Sequence, residues 1–216
     1  MKDYKTILFD LDGTLLDTSE GIYNGTDYMT DKLGMPRVPD DVKPTFIGPP
    51  VAQKYEQYFG LTGEALREAA STYREYYGKQ GYREASPYPG ILELLDELRK
   101  RDYRLVVATM KREDMAFKCL EATGLLGCFD AVFGNSDIDS LSKAELIDRG
   151  LERIGEPRST AVLIGDTSVD AEGAAEAGID FIQALYGFGL TTEEERKAFP
   201  SVLTVDSVPE LKVLYE

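Results

Sequence analysis

Histidine is absent from the 216 residues of this chain, which removes the usual general base and the commonest zinc ligand. Cysteine is scarce: Cys119 and Cys128 are the two present, too few for a disulfide framework. Positive charge is also in short supply, with 24 Lys and Arg against 39 Asp and Glu and a net charge of −15. Such a potential repels nucleic acid and anionic membrane surfaces at long range, so neither is expected as a partner. No apolar run approaches the roughly 18 residues of a bilayer span. The start, MKDYKTILFD, lacks the longer apolar stretch of a signal peptide, and a cytoplasmic location is expected. An anionic substrate would be repelled too, unless a metal ion, a lysine or helix N-termini reverse the sign locally. Any chemistry must rest on carboxylates, lysine, hydroxyls or a metal held by oxygen.

What is present is the composition of a globular protein, 43% hydrophobic and 29% charged, with no internal repeat, at a length that suits one core and a modest insertion. Thr6-Ile7-Leu8-Phe9 is a short apolar run ended by Asp10-Leu11-Asp12-Gly13-Thr14, which reads as a buried strand and a tight loop. Leu105 to Thr109, Ala161 to Asp166 and Phe181 to Leu185 read the same way, with Ala131-Val132-Phe133 a weaker fifth. Between them, apolar residues at three-to-four spacing predict helices at Ile91 to Arg101, Glu113 to Thr123, Ser142 to Ile154 and Val169 to Ala177. This alternation predicts an α/β fold, a mostly parallel sheet with helices on both faces. From Leu16 to about Ser86 the pattern changes to tyrosine-rich helical stretches, Ala52 to Phe59 and Glu64 to Tyr77, with prolines at 36, 39, 44, 49 and 50. An inserted helical unit over 17–86 is expected, dividing a core made of 1–16 and 87–216.

In an open parallel sheet, ligands bind beyond the carboxyl ends of the strands where strand order reverses. Asp10 and Asp12 follow the first strand, Thr109 ends the second, Asp166 and Asp170 follow the fourth, and Lys143 opens the helix before that strand. Carboxylates gathered there call for a hard cation with oxygen ligands, and magnesium is the common partner of phosphate chemistry. Asp10 can then serve as nucleophile, and Asp12 is placed to protonate a leaving oxygen and later to deprotonate water. Thr109 would donate to a phosphoryl oxygen, Lys143 would neutralise nucleophile and phosphate, Asp166 would join the metal shell, and Asp170 would orient a metal water or Lys143. Each residue also has a plainer reading: a turn for Asp12-Gly13, an N-cap for Thr109, a solvated side chain for Lys143, helix caps for Asp166 and Asp170. Their joint occurrence in order, directly after strand patterns, favours the chemical reading.

Asp10-Leu11-Asp12-Gly13-Thr14-Leu15, then Thr109, then Lys143, then Gly165-Asp166-Thr167-Ser168-Val169-Asp170 resemble the four motifs of the haloacid dehalogenase (HAD) superfamily. Phe46-Ile47-Gly48-Pro49-Pro50 and Tyr186-Gly187-Phe188-Gly189 resemble its phosphoglycolate-phosphatase-like branch. The resemblance implies a Rossmann-like three-layer core with a helical C1-type cap over 17–86. It also implies a Mg2+-dependent phosphomonoester hydrolase working through an aspartyl-phosphate on Asp10, with Asp12 as acid/base. Magnesium would be held by Asp10, the backbone carbonyl of Asp12, and Asp166. Met110 departs from the serine that relatives usually carry beside the phosphate donor.

Gly48 and Pro49, on a rigid turn of the insertion, are candidates to contact substrate, as are Lys54, Lys111 and Arg112 through a second anionic group. The tyrosines are expected to pack between helices. Phosphoglycolate is the first substrate expected from the resemblance, with nucleoside monophosphates and sugar phosphates as alternatives. A phosphomutase and a receiver-like phosphate-binding protein are the competing functional classes, and a monomer or homodimer is expected.

Overall fold

The computed structural model describes residues 2–136 and 141–216; residues 1 and 137–140, which fall in the expected core segments, lie outside it. Strand β1 (Thr6–Phe9) is followed by the short β2 (Leu16–Asp17). Helices α1 (Ser19–Leu33), α2 (Val51–Phe59) and α3 (Gly63–Lys79) then precede β3 (Ser86–Pro87). From there helices and strands alternate: α4 (Ile91–Lys100), β4 (Arg104–Arg112), α5 (Glu113–Ala122), β5 (Ala131–Asn135), α6 (Lys143–Ile154) and β6 (Ala161–Gly165). The chain continues through α7 (Ser168–Ala177), β7 (Asp180–Ala184), α8 (Glu193–Ala198) and β8 (Leu203–Val205).

Six strands form one sheet in the order β5-β4-β1-β6-β7-β8, and every neighbouring pair is parallel. The chain builds outward from β1 to β4 and β5 on one side, then returns to add β6, β7 and β8 on the other. Strand order therefore reverses at β1, and the crevice beyond its carboxyl end is flanked by β4 and β6. Alternation along β1 sends Ile7 and Phe9 into one apolar cluster with Leu94, Leu95 and Leu98 of α4. Leu8 goes to the opposite face, among Leu146, Ile147 and Leu151 of α6 and Ala171 and Ala174 of α7. Both faces of the strand are thus covered, which is why it reads as an unbroken apolar run.

Between β2 and β3 the chain is helical. The two short strands pair antiparallel, with Leu16 opposite Pro87 and Asp17 opposite Ser86, so the chain leaves and re-enters the sheet layer through one ribbon. Helix α1 lies close on the loop after α3, because a side chain at Gly21 would run into the carbonyl of Gly81. The expected tyrosine packing is present: Tyr55 is fully buried, with its ring against Phe46, Phe59 and Tyr73. Tyr58 is the partial exception, 43% exposed.

Three features depart from the sequence reading. Helix α1 carries Gly21 and Gly25 and no long apolar stripe, so periodicity does not announce it. Strand β8 is three residues long, below the length at which alternation is legible. Strand β4 does not stop at Thr109 but runs on to Arg112, with a register irregularity after Ala108 before Arg112 meets Asn135.

Candidate functional site

The acids converge at the switch point. Asp10 and Asp12 leave β1, Asp166 leaves β6, Asp170 lies in the first turn of α7, and all four are buried. Lys143, the first residue of α6, reaches them from below with Nζ 2.6 Å from Asp10 Oδ1 and 2.6 Å from Asp170 Oδ1. It can do so because Gly173 of α7 carries no side chain: a Cβ there would come within 2.5 Å of Lys143. Ser142 caps α6 with a reciprocal Glu145 bond, fixing the helix end that presents the lysine.

Asp170 makes two sets of contacts, one to the start of its own helix and one to Lys143. Its Oδ2 accepts from Thr167 N and Oγ1 in a capping box, while Oδ1 faces Lys143. Asp166 is held by three donors: Thr14 Oγ1 at 3.3 Å on Oδ1, and the backbone N–H groups of Phe188 and Gly189 at 2.8 and 3.1 Å on Oδ2. Those amides come from the Tyr186-to-Gly189 loop after β7, whose Tyr186 hydroxyl donates to the Thr14 carbonyl. A Cβ on Gly187 would lie 2.4 Å from Asp166, so the loop can approach only with glycine at this point. Thr109 is buried in β4 beside β1, and its Oγ1 accepts from the Lys111 backbone N–H.

Asp10, Asp166 and Asp170 each offer an oxygen within 4.8 Å of the others. Burial pushes the Asp10 carboxyl up to about 8; Lys143 opposes the shift, and Asp170 and Asp166 add to it. Burial likewise raises Asp166 to about 7, helped by Asp170 and resisted by the Phe188 and Gly189 amides. Burial works against the charge of Lys143, but Asp10 and Asp170 outweigh it and hold the ammonium above the ordinary lysine range. With all three ionised, the carboxylates exceed the one ammonium by two negative charges, in an all-oxygen donor set with no soft ligand in the cluster. This donor set fits a hard divalent cation.

Asp12 faces the other way. Lys111 Nζ sits 3.0 and 3.2 Å from its two carboxylate oxygens and 4.6 Å from the centroid of the Tyr77 ring in α3. One ammonium thus ties the loop after β1 to the helical insertion, and its side chain is only 9% exposed. A cavity of about 290 Å³ opens from this pair. Gly48 and Pro49 line it together with Tyr73, Tyr77, Met110 and Met115. Gly48 adopts a φ of +95°, and a Cβ there would touch Thr167. Lys54 is not among the lining residues; its Nζ lies over the Phe46 ring, 5.8 Å from the centroid. Met110 Sδ accepts from Asn135 Nδ2 at 3.8 Å.

Sequence reasoning took Lys111 only for a group that meets the substrate's second anion and left Tyr73 and Tyr77 in the packing. It also missed the Phe188 and Gly189 amides on Asp166. The pairing of Lys111 with Asp12 spans 99 residues, and no local pattern encodes it. The glycines of Tyr186-Gly187-Phe188-Gly189 were the available signal for a backbone that approaches a charged group closely.

Comparison with known proteins places this geometry. The family model for haloacid dehalogenase-like hydrolases matches residues 7–184. A 5'-nucleotidase of Pseudomonas aeruginosa is 36% identical over 90% of this chain and 88% of its own length. The tyrosine-protein kinase PtkA of Mycobacterium tuberculosis is 32% identical over 95% and 70%, and a phosphoglycolate phosphatase of Aquifex aeolicus is 29% identical over 85% and 86%. A haloacid dehalogenase-like hydrolase from Streptococcus pneumoniae superposes with a TM-score of 0.91 at 30% identity, covering all of both chains. No helix among the described residues is long and apolar enough to cross a membrane. With its acids at the switch point of a parallel sheet and a family model spanning most of its length, the chain belongs to the haloacid dehalogenase-like hydrolases.

Proposed function

We propose that this chain is a phosphomonoester hydrolase acting on a small phosphorylated metabolite through a phosphorylated Asp10. The observation that carries the reading is the buried contact of Lys143 with Asp10, 2.6 Å long, at the reversal point of the sheet. It holds a carboxylate oxygen beside a fixed positive charge, at the end of a strand, with its neighbours also acidic. The names of the relatives support phosphate chemistry, and phosphatases are prominent among them.

The residues divide the reaction as follows. An Asp10 carboxylate oxygen attacks phosphorus, and the P–O bond to the leaving group breaks while Asp12 delivers a proton to the departing oxygen. Asp12, now a carboxylate, removes a proton from water, which attacks the phosphorus of the aspartyl-phosphate; phosphate departs and Asp10 is restored. Lys143 neutralises charge on Asp10 and the phosphoryl group, Thr109 donates a hydrogen bond to a phosphoryl oxygen, and Asp170 holds Lys143 in place. Magnesium bound by Asp10, Asp166 and the Asp12 backbone carbonyl would supply positive charge to the phosphoryl oxygens and keep the carboxylates ionised.

The segment 17–86 acts as a cap that closes over a core of 1–16 and 87–216, with the β2–β3 ribbon as its hinge. Gly48 and Pro49 at the cavity support this, because they belong to the cap and face residues of the core. The test is phosphate release from p-nitrophenyl phosphate and a panel of phosphorylated metabolites with Mg2+. Release is expected from the wild type and should vanish with a chelator or with Asp10→Asn. Activity that survives either change refutes the metal-assisted nucleophile.

A further inference from the structure

We infer that the leaving group this phosphatase accepts is an uncharged, ring-bearing alcohol, with nucleosides the best match, and that a small carboxylate such as glycolate is a poor one. The inference rests on the phosphatase reading and adds the substrate class to it. It starts from Asp12. The group that protonates the leaving oxygen marks the side on which the alcohol lies, and the cavity opens from Asp12. Whatever is attached to that oxygen must therefore occupy the cavity.

The cavity's size argues first. At about 290 Å³ it stands close to the lower end of small-molecule pockets, about 300 Å³. It would hold roughly ten waters at about 30 Å³ each. A carboxymethyl group would displace only a few of these. The leftover water would sit beside an aspartyl-phosphate that only one positioned molecule should reach.

Its walls argue second. Ile22, Phe46, Val51 and Met115 line it with the rings of Tyr73 and Tyr77, which stack on each other at 5.4 Å with planes 17° apart. Aromatic rings and methionine in the wall favour a bulky, weakly polar guest.

Charge argues third. Three cations line the cavity: Lys111, beside the leaving oxygen, sits on both oxygens of Asp12 and on the Tyr77 ring, Arg112 is bound through two nitrogens to Asp114, and Arg74 is engaged as well. An anionic leaving group would have to draw Lys111 away from the acid that must protonate it. An uncharged alcohol does not compete with Asp12 for that ammonium.

The experiment compares kcat/KM of the wild type, with saturating Mg2+, for nucleoside 5'-monophosphates, p-nitrophenyl phosphate and phosphoglycolate. The nucleotide and aryl esters are expected to exceed phosphoglycolate by at least about tenfold, the scale on which apolar pockets discriminate. Ala52, at the cavity wall in the first turn of α2, gives a second arm. Ala52→Phe fills the space and should lower kcat/KM for the two ring esters about tenfold more than for phosphoglycolate. Phosphoglycolate equal to or better than the nucleotides overturns the inference and leaves the phosphatase reading standing. An equal loss on all three esters in Ala52→Phe, with unchanged thermal midpoint, also overturns it. No turnover of any ester instead refutes the phosphatase reading itself.

Discussion

Removing divalent cations should make the stability of this chain fall with pH across a window in which little else titrates. Asp10 and Asp166 have folded-state values of about 8 and about 7, against an ordinary 3.8. A carboxyl whose pKa is higher in the folded chain than in the unfolded one takes up a proton on folding. Stability is therefore lost as pH rises between the two values. The two acids interact, so one shared proton is the conservative count. It gives a slope of about 1.4 kcal/mol per pH unit, or about 2.7 kcal/mol between pH 5 and pH 7. For a protein of this size that is about 5–10 °C in thermal midpoint. The chain has no histidine, so no side chain of ordinary pKa masks the slope in this window. Excess Mg2+ competes with the proton and should flatten the profile while raising the whole curve. Urea unfolding at a series of pH values, with chelator and with Mg2+, measures both. A metal-free profile that is flat or rising from pH 5 to 7, or one unchanged by Mg2+, would refute the electrostatic account of the cluster.

Asp12→Asn should lower turnover by about 100- to 10,000-fold, the usual contribution of a general acid and base, and should also lower the thermal midpoint, because it leaves the buried Lys111 ammonium without its carboxylate; near-normal rates in the folded variant would remove Asp12 from the mechanism. Lys143→Met leaves Asp10 and Asp170 buried without their shared ammonium and should cost about 3–5 kcal/mol in chelator, with part of it restored by Mg2+ in the same unfolding assay. Gly187→Ala places a Cβ against Asp166 and should weaken Mg2+ binding about tenfold or more by titration calorimetry, as shifts around a ligand commonly do. An unchanged affinity would show that the loop does not set the carboxylate.

The parts of the fold that were legible are those where one local rule operates. Thr6–Phe9 is a strand because four apolar residues end at an acid-glycine turn, and α4 to α7 are helices whose apolar spacing fixes their bounds to within a residue or two. The sequence placed Asp10, Asp166, Asp170 and Lys143 at one sheet edge, and they do meet there, because the switch-point rule converts strand order into proximity. Rules of this kind say which edge a residue reaches but not which neighbour it touches. Lys111 belongs to β4 and could face either the substrate or an acid. Its place on Asp12 and Tyr77 depends on how α3 lies over the sheet. Asp170 had two readings, as a helix cap and as a partner of Lys143, and its two oxygens make one contact of each kind.

The ribbon formed by Leu16–Asp17 and Ser86–Pro87 has a consequence for how this protein could change over time. Because the outgoing and returning chains are hydrogen-bonded neighbours, the helices between them form a cassette whose attachment points are a strand-spacing apart. A longer, shorter or wholly different cassette could be spliced at that doorway without altering the order of the six strands or the acids they carry. On the proposed reading, the part of the cavity wall that Gly48, Pro49, Tyr73 and Tyr77 contribute could then be rewritten while Asp10 and Lys143 stay in contact beneath it.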